Sequence, residues 1–277
     1  MSLHLWAVRA SKPFQGSCMS RTYLDDILLW HRQRAQRDSR VLTELMDVAR
    51  RSAPPRGFGK AIQDTPHLSV IAEIKRRSPS KGDLNQGLKP ELLARAYQSG
   101  GASCLSVLTD ENYFGGSVGD LQTARAACDV PVLRKDFTVD ARDVCDARIM
   151  GADCVLLIAA ALSQEELARC MEVARFVDID VLVEVHDEVE LDRALQVDAT
   201  IIGVNQRDLV TFAVDHDRAV RMGSLMPSHV VRVAESGVRG RDDALSLRSA
   251  GYDAVLVGEH LVTSSDPAAA LTDLCVE

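Results

Sequence analysis

The sequence predicts an α/β protein of the (β/α)8 TIM-barrel class, with eight parallel strands closed into a cylinder, a helix after each, and an N-terminal helical extension. Three observations predict it. Eight short β-branched runs follow one another between residues 69 and 259. Each run is almost continuously apolar, as a strand covered on both faces has to be. Helical signatures separate the runs, so strands and helices alternate. An open doubly wound sheet is the competing arrangement, but the G-x-G-x-x-G turn that marks its first strand is missing here. At 277 residues the chain is long for an average domain and within range for one such barrel.

The elements follow in order. Residues 22–50 read as helix: Thr22 and Asp25 have capping-box character, and apolar residues recur at Leu24, Ile27, Leu28, Val41, Leu42, Leu45, Met46 and Ala49. "APPRGFG" (53–59) breaks that helix. The strands are then "SVIAEIK" (69–75), "CLSVLT" (104–109), "VPVLRK" (130–135), "CVLLIA" (154–159), "VLVEV" (181–185), "TIIGVN" (200–205), "VVRVAES" (230–236) and "AVLVGE" (254–259). Between them, Pro90 opens a helix at a first-turn position and Gly100 serves as its C′ stop. Ser163 and Glu166 form a capping box. "Ala-Gly-Tyr" at 250–252 ends the helix before the last strand, and Asp266-Pro267 caps the final one.

Composition narrows the function classes. A hydrophobic fraction of 46% and a charged fraction of 26% are those of an ordinary globular domain. The net charge of -8 disfavours a general nucleic-acid binder, and 4% aromatics leave little for base stacking. Local cationic pockets in an acidic shell still admit a small anion. Seven scattered cysteines without a C-x-x-C pair read as buried small hydrophobes in a reducing, cytoplasmic compartment. No apolar stretch is long enough to cross a bilayer. Residues 1–21 carry Arg9, Lys12 and Arg21 without acids, and read as an extension outside the fold, with Met19 near its start. A transit-like peptide is the other reading of that segment. Residues 22–277 read as one domain.

Barrel active sites lie at the C-terminal ends of the strands. Those ends carry Glu73 and Lys75 (first strand), Lys135 (third), Glu184 (fifth), Asn205 with Arg207 (sixth), Glu235 and Ser236 (seventh) and Gly258 (eighth). One such residue alone is commonly a solvated loop group. Three carboxylates and two lysines from four strands at one rim need partners, either each other or a ligand, because unpaired buried charge is costly. The loops after the last two strands, "ESGVRG" and "VGEHLV", stand where barrels of this class commonly hold phosphate. Gly237 and Gly258 would let backbone approach an anion there and Ser236 would add a hydroxyl, although glycine serves plain turns too. His186 and His260 read as loop or packing residues, neither with a metal partner at a sensible spacing, and the seven histidines are scattered. Arg76 reads as a solvated turn residue.

"VIAEIKRRSPSKG", "SVLTDENYFGGS", "PVLRKDF", "VLVEVHD", "IIGVNQRDL", "VAESGV" and "AVLVGEHLV" resemble, in order, the strand motifs of the indole-3-glycerol phosphate synthase family. The resemblance runs from about residue 22 to the C-terminus. It implies conversion of 1-(2-carboxyphenylamino)-1-deoxyribulose 5-phosphate to indole-3-glycerol phosphate in tryptophan synthesis, with loss of carbon dioxide and water and with no cofactor or metal. It implies Lys135 as the general acid on the substrate carbonyl and Glu184 as base or proton partner in the dehydration. Lys75 would hold the substrate carboxylate and assist proton transfer, and Glu73, Asn205 and Glu235 would orient those groups and the sugar hydroxyls. Ser78, Arg207, Ser236, Gly237, Gly258 and the backbone of Glu259 would surround the phosphate; Phe114, Phe137 and Leu156 would wall the anthranilate ring. The N-terminal helix would lie over the mouth. A monomer is expected, and no fused domain, since one helix follows the last strand.

The chemistry agrees with that assignment. Attack of an aryl carbon on a ketone needs an acid at the carbonyl oxygen, a part a lysine fills if burial or nearby cations lower its pKa. Two departures stand out: Gln206, where the family commonly has a second Asn, and Asp83-Leu84 after "SPSKG". Phosphoribosylanthranilate isomerase, another phosphate-binding barrel, is the competing enzyme; its chemistry resembles a Cys/Asp pair at the first and fifth strand ends, where Glu73, Lys75 and Glu184 stand here. A non-catalytic relative would be expected to lose the mouth residues.

Overall fold

The computed structural model describes residues 22–78, 81–208 and 213–277. The expected extension 1–21, including Cys18, lies outside the described residues.

Eight parallel strands close into one barrel: β1 (Ser69–Ile74), β2 (Cys104–Leu108), β3 (Val132–Lys135), β4 (Cys154–Ile158), β5 (Asp180–Val185), β6 (Ile201–Asn205), β7 (Val231–Glu235) and β8 (Ala254–Val257). Ser69 pairs with Ala254 and Ile71 with Cys104, so β1 closes the cylinder between β8 and β2. All eight expected strands are present within a residue or two of their runs. Near-continuous burial along β1, β2, β4 and β6 explains why their sequences do not alternate.

Side chains inside such a barrel stack in layers drawn from alternate strands. Ile71, Leu133, Leu182 and Val233, from β1, β3, β5 and β7, share an interior apolar cluster with Cys104, Leu156, Ile201 and Leu256 of the even strands. Strand geometry puts residues two apart on one face. The next inward position on each odd strand is therefore Glu73, Lys135, Glu184 and Glu235. One layer above an aliphatic floor, the barrel is filled by three carboxylates and an ammonium.

The N-terminal region departs from the expected single helix. It forms α1 (Tyr23–Arg37) and α2 (Leu42–Arg51), the first opened by the Thr22–Asp25 capping box. Between them Asp38 takes an extended backbone and its carboxylate accepts the Arg40 N–H at 3.0 Å, a local turn that competes with helix. After "APPRG" a third helix, α3 (Phe58–Gln63), begins inside the expected break. Phe58 and Ile62 enter the interior cluster, and the Gly59 N–H donates to Asp180 Oδ2 at 2.9 Å at the start of β5. That helix plugs the N-terminal end of the barrel. Sequence periodicity missed it because six residues are too few to show a helical period.

α2 packs on the helices Ala141–Met150 and Gln164–Val177. α1 crosses the opposite end, over the loops after β2, β3 and β4: Tyr113 Oη donates to Asp26 O at 3.3 Å, and Arg32 donates to Ala161 O at 2.8 Å. The helix caps at Ser163–Glu166, Pro90 and Asp266-Pro267 are as expected. At the helix Pro90–Ser99, however, Gly100 is right-handed and the left-handed residue is Gly101, at φ 99°. A two-stranded hairpin, Arg77–Ser78 with Gly82–Asp83, stands in the loop after β1. Among the described cysteines, Cys275 departs from the expected burial and is half-exposed.

Candidate active site

At the mouth a cavity of about 640 Å³ opens over the charged layer, and all fifteen residues expected at the site line it. Four groups from odd strands meet at its floor. Lys135 Nζ donates to Glu184 Oε2 and to Glu235 Oε2, both at 2.8 Å. Asn205 Nδ2 holds the other oxygen of Glu184 at 3.0 Å. Lys75 Nζ is hydrogen-bonded to Glu73 Oε1.

Room for these carboxylates comes from glycines in β6 and directly after β8. A Cβ on Gly258 would stand 2.3 Å from Glu73 Oε1, and one on Gly203 would stand 2.1 Å from Glu235 Oε1. Gly258 therefore has a second duty besides lining the expected anion site, and Gly203 is a site-shaping residue that sequence reasoning missed. Its signal was available: a glycine inside a strand marks a close approach.

The electrostatics follow from burial and neighbours. Burial presses Lys135 toward its neutral form, but Glu184, Glu235 and Glu73 outweigh it, so the ammonium pKa is raised. The expectation of a lysine made acidic by a lowered pKa is overturned: the three carboxylates around it outweigh its burial. Burial also pushes Glu184 upward, yet Lys135, His186 and the Asn205 amide together hold it below the ordinary carboxylate range. Glu235 goes the other way. Its burial and the negative charge of Glu184 outweigh Lys135, and its carboxyl is raised. Two carboxylates with opposite shifts share one ammonium, an arrangement suited to dividing acid and base roles.

The anion side is built from the loops after β7 and β8. Ser236 (φ 68°) and Gly237 (φ 80°) both take left-handed backbone, which costs the serine about 1 kcal/mol or more. Gln206 Nε2 braces that turn by donating to Ser236 O at 2.8 Å, which gives this departure from the family pattern a physical role. After β8, the short helix Glu259–Val262 starts directly at Gly258, so its first N–H groups lack helical partners. Arg207 and Ser78 line the same region, as do Lys81, Arg239, His216 and His260, none of which was expected there. Lys81 reaches across to Glu259 at 3.1 Å.

The opposite wall is apolar. Phe114 and Phe137 stand 6.0 Å apart between ring centres, with Leu156, Leu108 and Ile158 beside them. α1 braces this wall through His31, buried against Phe137 at 5.5 Å and hydrogen-bonded to Asp110 at 3.0 Å. His31, Asp110 and Asp136 bring three metal-capable groups within 4.8 Å of one another. Hydrogen bonding accounts for that cluster: Asp136 serves Arg134 and Thr109, and Asp110 caps Tyr113 and Phe114. One other expectation needs correction. Arg76 is half-buried and clamps Asp120 at 2.8 Å and Leu88 O at 2.7 Å. His186, read as a loop or packing residue, follows β5 directly and lies 3.6 Å from Glu184.

Comparison with known proteins places the chain in a family. The sequence model of the indole-3-glycerol phosphate synthase family matches residues 24–274. A Mycobacterium sp. (strain KMS) protein named indole-3-glycerol phosphate synthase is 50% identical over 92% of this chain and 94% of its own length. Indole-3-glycerol phosphate synthase 2 of Streptomyces coelicolor is 50% identical over 88% and 93%. Among solved structures, 3-hexulose-6-phosphate synthase from Salmonella typhimurium superposes with a TM-score of 0.60 at 12% identity, over 75% of this chain and 97% of that one. At that identity the likeness shows the barrel alone.

Proposed function

The chain belongs to the indole-3-glycerol phosphate synthase family, and from that premise we propose how its mouth residues close the indole ring. The activity is that of a carboxy-lyase of tryptophan biosynthesis acting on a phosphorylated small molecule. The observation that carries the assignment of roles is the Lys135 ammonium held between Glu184 and Glu235 at 2.8 Å, at the floor of the cavity.

The substrate's phosphate binds against Ser236, Gly237, Gly258, Ser78, Arg207 and the Glu259 N–H, and its anthranilate ring against Phe114, Phe137 and Leu156. Anchoring both ends folds a flexible chain back on itself, which removes much of the entropic barrier to ring closure. Lys135 gives a proton to the ketone oxygen as the aryl carbon bearing the carboxylate bonds to the carbonyl carbon. Its raised pKa keeps the ammonium fully loaded for that step. The carboxylate, oriented by Lys75, leaves as carbon dioxide, and its electron pair restores the aromatic ring. Glu184 then takes the proton from the carbon beside the new bond as the hydroxyl leaves as water with a proton supplied by Lys75, and the indole double bond forms. Glu73, Asn205 and Glu235 hold the two lysines and the base in register.

We also read the chain as a monomer of the cytoplasm; buried thiols such as Cys104, Cys154 and Cys170 support a reducing compartment. No helix among the described residues is long and apolar enough to cross a membrane. The test of the function is direct: purified protein is mixed with 1-(2-carboxyphenylamino)-1-deoxyribulose 5-phosphate and indole fluorescence is followed. Appearance of the indole with release of one carbon dioxide per product is expected. Unchanged substrate would end the assignment.

A further inference from the structure

One largely buried titratable side chain beside the reacting centre has no part in the chemistry so far. His186 follows β5 directly, and Glu190, on the helix Glu188–Gln196, fixes it twice: Oε2 accepts the His186 backbone N–H at 2.8 Å and bonds ring Nδ1 at 3.0 Å. The other ring nitrogen, Nε2, is buried and has no hydrogen-bond partner among the described residues. It lies 3.6 Å from Glu184 Oε1. That distance is too long for a hydrogen bond and short enough for a strong charge interaction. The ring stands behind Glu184, outside the cavity lining, so substrate does not reach it.

We propose that His186 is a positioning residue for ring closure: held by Glu190, its imidazolium keeps Glu184 ionised and in place while Lys135 turns from that carboxylate to the substrate carbonyl. The proposal rests on the reading of Glu184 as the base. Before substrate binds, the ammonium of Lys135 neutralises Glu184 at 2.8 Å. Once that ammonium hydrogen-bonds to a ketone oxygen, Glu184 is a buried carboxylate short of a cation. Such a group takes up a proton and can no longer act as a base. Asn205 cannot prevent this, because an amide brings no charge. His186 can.

The surroundings favour the charged ring. The acids facing it are Glu184 of β5, Glu190 of the following helix and Glu235 of β7; Lys135 of β3 is the cation beyond Glu184. Burial alone would lower the imidazole pKa, but the Glu190 bond and these acids outweigh it and leave it raised.

Steady-state kinetics of His186→Phe and Glu190→Gln, each alone and combined with Glu184→Gln, test the proposal. His186→Phe is expected to lower kcat about tenfold with KM within twofold, and to move the acidic limb of the kcat–pH profile up by about one pH unit as Glu184 loses its second cation. Glu190→Gln should move both in the same direction by less. In the Glu184→Gln background neither change should alter kcat more than twofold, since residues acting through one group are not additive. If His186→Phe costs the same factor in both backgrounds, or leaves the acidic limb where it was, the proposal is overturned and the role of Glu184 stands. Wild-type turnover in Glu184→Gln itself would overturn both. Should His186→Phe fail to fold, Glu190→Gln alone and in the Glu184→Gln background carries the same comparison.

Discussion

Both ends of the barrel bury acids, and they treat them differently. At the plugged end Asp153 is fully buried, and its two oxygens accept the Arg56 N–H at 2.9 Å, the Val132 N–H at 2.8 Å and the Arg125 guanidinium at 2.9 Å. Every hydrogen-bonding need of that carboxylate is met by groups that hold α3's approach, β3 and the helix Val118–Ala127 together. At the mouth, Glu235 is equally buried, yet its Oε1 has no partner among the described residues and its carboxyl is raised. Glu184 shares its cation with Glu235. A satisfied buried network rigidifies, whereas a partly satisfied one is costly and waits for a ligand. The two ends of one cylinder thus divide stability from chemistry.

Three changes would break or sharpen that division. Asp153→Ala should be the most damaging: removing one partner of a buried ionic network costs about 3 to 5 kcal/mol, which is read as a fall of the thermal midpoint, while turnover per folded molecule stays within twofold. A large drop in turnover at full folding would erase the contrast between the ends. Lys135→Met should do the reverse. Its turnover should fall about a hundredfold or more, equivalent to about 2.7 kcal/mol of barrier, with substrate affinity nearly unchanged and a smaller fall of the melting temperature than in Asp153→Ala, because Glu184 and Glu235 can take up protons once the ammonium is gone. Near wild-type product fluorescence in that variant would remove Lys135 from the acid role.

The smallest effect is a pH dependence. Because the folded pKa of Glu235 is raised, the native state binds more protons than the unfolded chain between the ordinary carboxylate value and the raised one. Its contribution is fully present below the ordinary value and is lost as pH rises through the raised one. Glu235→Gln should therefore gain stability over the parent protein as pH goes from 5 to 8, by about 1.4 kcal/mol for every tenfold difference in proton affinity between the folded and unfolded carboxyl. Melting curves of the pair at both pH values check it, and parallel curves would contradict the raised carboxyl.

Much of this was legible in the sequence, for a local reason. A strand buried on both faces announces itself by an unbroken apolar run, and a polar residue at its end interrupts that run visibly. "VIAEIK" and "VLVEV" show it, so Glu73, Lys75 and Glu184 could be placed on the rim before any coordinates. What escaped depends on partners far away in the chain. Arg76 looks like one more turn cation until Asp120 and Leu88 are brought to it. Gly203 looks like a weak strand residue until Glu235, on the next strand, needs its missing Cβ. The direction in which the Lys135 pKa moves depends on how many glutamates point inward, which strand ends alone do not count. The short α3, with a glycine in its first turn, carries too little period to be seen, and only the open end of the barrel explains it.

The central claim is that the mouth cluster performs chemistry and contributes little to holding the barrel together. Glu184→Gln tests it most directly, by measuring indole formation and the melting temperature on the same sample. The account predicts a rate lower by about a hundredfold and a melting temperature within a few degrees of the parent. An unchanged rate with a melting temperature many degrees lower would make the Lys135–Glu184 contact a structural ion pair and contradict the account.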